Sequence, residues 1–237
     1  MLKIREAQMD ALRNAQVERY KRELAENLSE QFPQLVERAG TTALTQFVNG
    51  AFERAASEGY RSRGPVRLYA QACLVCGLDF AEDAQHRALT QGAPSYREAV
   101  RQRTQRLFER LSQYYDDCLG EAASTLARFS RAALSVEPQL SDSLSSERAL
   151  AAVCELWPAK AQFAGPANLG ETVAHALEAG ASEQPVVASA WRRVWLAVGF
   201  GAHLDSNPLY HWLDVTPDEQ TLRLRAFVAA LDAPAAA

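Results

Sequence analysis

Residues Pro65 to Leu89, PVRLYAQACLVCGLDFAEDAQHRAL, constrain the fold more than any other stretch of the chain. Val66, Leu68, Tyr69, Ala70, Ala72, Cys73, Leu74, Val75 and Cys76 leave almost no polar side on a helix. A helix that is apolar all round has to be wrapped by others. Pro65 suits the first helical position, where its missing N–H costs nothing. Gly77 stops the helix, and the acidic turn Asp79, Glu82, Asp83 leads into a second short helix. A similar stretch returns as Ser189 to Leu213, SAWRRVWLAVGFGAHLDSNPLYHWL. Laid over one another without gaps, the two place Gly77 on Gly201, Phe80 on Leu204, Asp83 on Asn207 and Leu89 on Leu213. Each then runs through a capping box, Ser95 to Glu98 or Thr216 to Glu219, into an amphipathic helix. Two units are too few for an open solenoid, so the pattern predicts a compact, pseudo-symmetric bundle.

The remaining segments are helical by periodicity. Ile4 to Gln31 carries Met9, Leu12, Val17, Tyr20, Leu24 and Leu28 at helical spacing and ends at Pro33. A short piece from Pro33 stops at Gly40, and Thr41 or Thr42 caps a helix with Leu44, Phe47, Val48, Ala51, Phe52 and Ala55 on one stripe. A basic-faced helix should run to about Cys118, followed by another from Glu121 to Leu134. Helices are further expected from about Ser146 to Trp157, from Glu171 to Gly180, from Gln184 to Gly199, and from Thr216 through Leu231, with residues 158–170 as a loop. The fold class is therefore all-α. Residues 1–134 form an N-terminal helical half, 135–146 a linker of Ser-rich composition, 147–232 a C-terminal half, and 233–237 a frayed tail.

Composition narrows the function classes. Hydrophobic residues make up 48% of the 237, enough for a substantial core. A net charge of -4 gives no global attraction to nucleic acid or anionic lipid, so neither is an expected partner. The charged N-terminus lacks the apolar core of a signal peptide, and four cysteines in helical patterns read as free thiols, which together predict a cytoplasmic protein. Cys73 and Cys76 have zinc or redox spacing but lie inside an apolar helix with no second pair nearby, so they read as core. His203, Asp205 and His211 fall within nine residues yet offer no helical His pair, and Gly199-Phe-Gly201 follows a helix where a dinucleotide fingerprint needs a strand. No catalytic, metal-binding or cofactor-binding residue is predicted, and the chain reads as a binding protein in preference to an enzyme. Its oligomeric state is left open.

The pattern Ile4-x-x-x-Gln8-x-x-Ala11-Leu12, with Phe32-Pro33 closing the first helix, resembles the start of helical proteins encoded beside effectors and PAAR-type spike proteins of bacterial type VI secretion. Gly77-x-x-Phe80-x-x-Asp83 is similar to that family's glycine, aromatic and acidic turn, with Ala84 where the family has proline. Gly201-x-x-Leu204-Asp205-x-Asn207-Pro208, followed by Trp212, resembles a fuller copy. The resemblance implies a protein that binds a cognate secreted toxin, either as an immunity protein that neutralises it or as an adaptor that holds it for loading. The contrasting class is a small helical enzyme or metal protein. Asp79, Glu82, Asp83, Asp205 and Asn207 are the expected partner-binding residues, since an acidic surface suits a basic toxin.

Overall fold

The structure is a computed structural model, and it describes residues 6–90, 100–120, 124–140, 144–179 and 190–231. Among these residues it is all-α, without a strand. The helices are α1 (Glu6–Gln31), α2 (Pro33–Ala39), α3 (Thr41–Ser57), α4 (Arg63–Cys76), α5 (Arg87–Thr90), α6 (Val100–Tyr114), α7 (Ser124–Leu140), α8 (Ser146–Leu156), α9 (Pro158–Ala164), α10 (Pro166–Ala179), α11 (Ala190–Phe200) and α12 (Pro217–Leu231). Short 3₁₀ turns at Ala84–His86, Leu204–Ser206 and Pro208–Leu213, and a π turn at Tyr115–Leu119, complete it.

Several boundaries differ from expectation for physical reasons. Pro65 sits in the first turn of α4, two residues inside it, because Ser62 is the extended residue that precedes the helix. Residues 158–164, expected as loop, form α9: Pro158 starts this helix instead of merely ending the previous one. The expected linker begins inside α7, which continues to Leu140. The capping box at Ser95 to Glu98, residues 141–143 and the tail lie outside the described residues.

The internal repeat appears as a repeated order of parts with repeated backbone angles. Phe32 precedes α2 at φ -131°, ψ 54°, and Trp157 precedes α9 at φ -138°, ψ 68°. Gly40 ends α2 at φ 84°, ψ 160°, and Gly165 ends α9 at φ 80°, ψ 143°. Each half then has a long helix (α3, α10), an apolar helix (α4, α11), a positive-φ glycine, a 3₁₀ turn and a closing helix (α6, α12). The halves complete one another: Ala84–His86 packs on α10, and Pro208–Leu213 packs on α2 and α3. One continuous core follows, running from Leu24 through Tyr69, Trp157 and Trp195 to Phe227. The predicted thiols belong to it, with Cys73, Cys76 and Cys118 buried and Cys154 half-buried, all free.

The two halves meet where α4 and α11 end. A Cβ on Gly77 would lie 3.0 Å from the Gly201 Cα and 3.0 Å from the Phe200 carbonyl oxygen; one on Gly201 would lie 2.8 Å from both the Cys76 oxygen and the Gly77 Cα. Backbone touches backbone, and both residues have φ near +100° (96° and 108°), a region that side chains rarely adopt. Gly165→Ala, with φ 80° but open space around the new methyl, should cost about 1–3 kcal/mol from backbone conformation alone. Gly201→Ala meets the same conformational cost and must also push the halves apart. Urea melts of the two variants are therefore expected to place the Gly201→Ala midpoint clearly below that of Gly165→Ala.

Candidate functional site

The glycine contact sets the two acidic turns side by side. The Ser206 hydroxyl donates to Asp79 Oδ2 (3.3 Å), and the Ala202 N–H donates to Asp83 Oδ2 (3.0 Å). Of the five residues expected to meet a partner, Asp83 and Asn207 point inward, at 3% and 1% exposure. Both serve as turn caps: Asp83 Oδ1 accepts from the Gln85 N–H (3.2 Å), and Asn207 Oδ1 accepts from the Leu209 N–H (3.1 Å). Asp79 is half-buried and paired with Arg54 Nε at 2.5 Å. Only Glu82 and Asp205 are exposed. The Asp205 carboxyl is raised from its ordinary value, by partial burial first and then by Asp214, with Arg193 opposing.

Beneath this surface lies a buried polar network. Asp83 Oδ1 also accepts from the Thr172 hydroxyl (2.8 Å), and Oδ2 accepts from Gln85 Nε2 (2.8 Å). Gln85 Nε2 in turn donates to the Ala197 carbonyl (2.8 Å). The His86 Nδ1 stands 3.5 Å from Asp83 Oδ2, a long polar contact rather than a hydrogen bond. On its other side, His86 Nε2 lies 2.9 Å from Lys160 Nζ, which also donates to the Tyr114 hydroxyl (2.7 Å). Lys160 is fully buried on α9, with its ammonium 4.5 Å from the Tyr114 ring centroid and 5.6 Å from that of Trp157.

Burial sets the protonation states. It pushes His86 down to about 4, helped by the neighbouring Lys160 charge and opposed by Asp83. Burial also lowers Lys160, and it raises Cys76 to about 12 and Cys118 to about 11. In Asp83 burial acts upward, but contacts from His86, Gln85 and Thr172 outweigh it and hold the carboxyl well below its usual range. At neutral pH the set is then an ionised Asp83 and a neutral His86, with Nε2 accepting from Lys160.

Lys160, Gln85 and Thr172 escaped sequence reasoning. Lys160 sits in a segment read as loop, and its partners come from elements remote in sequence. His86 ends the 3₁₀ turn and is buried within the network. Trp191 and Trp195 are fully buried, and Trp212 is half-buried. His203 is next to His175 of α10, with ring centroids 5.4 Å apart. Among the described residues no group of three or more His, Cys, Asp or Glu side chains is placed to hold a metal ion, and no helix is long and apolar enough to cross a membrane. The chain matches no protein-family model, no curated protein and no solved structure.

The sign of the pH dependence follows from His86. Between pH 6.5 and about 4 the unfolded chain takes up a proton that the folded site refuses, so acidification destabilises the fold. Asp83 adds to the loss at lower pH, because its folded carboxyl stays ionised where the unfolded one protonates. The His86 contribution is on the order of 3 kcal/mol over that window. Urea denaturation from pH 7 to 4 is expected to show this decline in the native protein and a flatter profile in His86→Gln, which cannot titrate.

Proposed function

We propose that the protein is a non-enzymatic binding protein that recognises a type VI secretion toxin and neutralises it by direct contact. The observation that carries this reading is where the ionisable groups converge. Asp83, His86, Lys160 and Tyr114 meet with 0–3% exposure each, sealed beneath the surface, with Lys160 hydrogen-bonded to both His86 and Tyr114 and Asp83 beside His86. A catalytic acid or base has to come within hydrogen-bond reach of a substrate, and these four are spent on joining the two halves. Their work is structural, and what the halves present outward is a rigid pair of adjoining turns. Glu82 and Asp205 carry the exposed negative charge there, which complements a basic toxin surface and speeds encounter with it. The resemblance of Ile4 to Leu12 and of the two glycine turns to effector-associated proteins supplies the class of partner.

The test is co-expression with the toxin encoded beside it. Rescue of growth and a stable complex of the two proteins are expected; absence of rescue sinks neutralisation, and loss of toxin secretion on deletion would instead favour the adaptor role. In the same assay the double variant Glu82→Lys, Asp205→Lys should weaken binding by roughly tenfold, mainly through slower association, while its thermal midpoint stays that of the native protein.

A further inference from the structure

One half-buried arginine meets no hydrogen-bond acceptor among the described residues. Arg54 is held by Asp79, Arg87 by Glu171 and Asn168, Arg192 by Glu137 and Gln220, and Arg223 by Glu219 and the Trp212 carbonyl. Arg103 of α6 is half-buried and donates no hydrogen bond to any described residue; its Nε is buried without a partner. Its guanidinium lies over the Tyr60 ring, 5.4 Å from the centroid, and its Nη2 would be 3.1 Å from a Cβ placed on Gly59. Ring and backbone thus hold the fork in place. It faces a cleft of about 70 Å³ walled by Tyr60, Tyr69, Phe80, Leu89 and Leu107, with Glu58 at the rim.

We propose that this cleft receives one carboxylate, presented by an acidic side chain of a protein partner, with Arg103 as its anchor. No described residue accepts a hydrogen bond from the guanidinium, and the two Nη groups of its fork match the two oxygens of a carboxylate. The space suffices for such a group and falls far short of the roughly 300 Å³ that encloses a whole small ligand. Aromatic walls suit the methylenes that carry a side-chain carboxylate, and Glu58 disfavours a doubly charged phosphate. Arg106 lines the cleft as well, and Ala81 lines it with the exposed Glu82 following, so a partner would meet the acidic turn and the half-buried arginines in a fixed register. That the carboxylate comes from a protein rests on the binding-protein reading above; the site itself rests on Arg103.

The experiment is an NMR titration of the full-length chain, following the Arg103 side-chain Nε–H signal, identified by its disappearance in Arg103→Lys and, independently, in Arg103→Gln. Acetyl-Gly-Glu-Gly-amide is expected to shift this signal saturably, with a dissociation constant on the order of 10 mM, while acetyl-Gly-Gln-Gly-amide leaves it in place. In either arginine variant the amide shifts that the glutamate peptide causes at Tyr60 and Phe80 should vanish. The proposal fails if neither peptide gives a saturable shift, if the glutamine peptide matches the glutamate one, or if inorganic phosphate binds as tightly as the glutamate peptide. Because no toxin is involved, these outcomes are separate from failure of growth rescue, which concerns the toxin alone.

Discussion

Two glycine α-carbons in contact fix everything else about how this chain is arranged. At Gly77 and Gly201 the backbones approach so closely that any side chain on either would collide with main-chain atoms of the other half, and both residues occupy a conformation that favours glycine. The ends of α4 and α11 are pinned at that point, and the two turns that leave it must run alongside one another. From there each 3₁₀ turn reaches across to pack on the opposite half, Ala84–His86 on α10 and Pro208–Leu213 on α3. The single core is a consequence of this exchange, since neither half keeps its own turn.

The exchange is symmetric in outline and asymmetric in chemistry. Asp83 and Asn207 occupy corresponding places and cap their turns in the same way. Behind Asp83 the interior is polar: the carboxylate accepts from Gln85, Thr172 and Ala202, and beside it Lys160 bonds both His86 and Tyr114. Behind Asn207 the corresponding turn residues are Leu209 and Tyr210, buried against an apolar stripe that includes Phe47 and Val48. A buried, fully hydrogen-bonded carboxylate specifies its partners more narrowly than packed hydrocarbon does, so the first turn defines register and the second mainly fills volume. The turns also carry Glu82 and Asp205 on their outer side, which links the internal network to the surface proposed for partner contact.

Much of the helical scaffold was legible because helices write their own periodicity. The stripe on α3, the all-round apolar α4 and the proline and glycine stops translate into elements within a few residues. The missed helix α9 shows the limit: Pro158 and Gly165 bracket a span of seven residues, too short for periodicity to outweigh the loop signals on either side. The candidate surface was legible only in part. Acidic residues in a turn look alike in sequence, yet Asp83 turns inward while Glu82 beside it turns out, and the difference lies in which groups wait on the other half to receive the carboxylate.

The sequence by itself determined the class of fold, most of the breaks between helices and the doubling of one glycine turn, because each depends on local propensity and on spacing along the chain. Only the tertiary structure decided that Lys160 would be buried against His86 and Tyr114, that Arg103 would line a cleft without a hydrogen bond to any described residue, and that two of five turn residues would be interior. These are matters of which remote segments meet, and no single segment contains the hydrogen-bond partners that settle them.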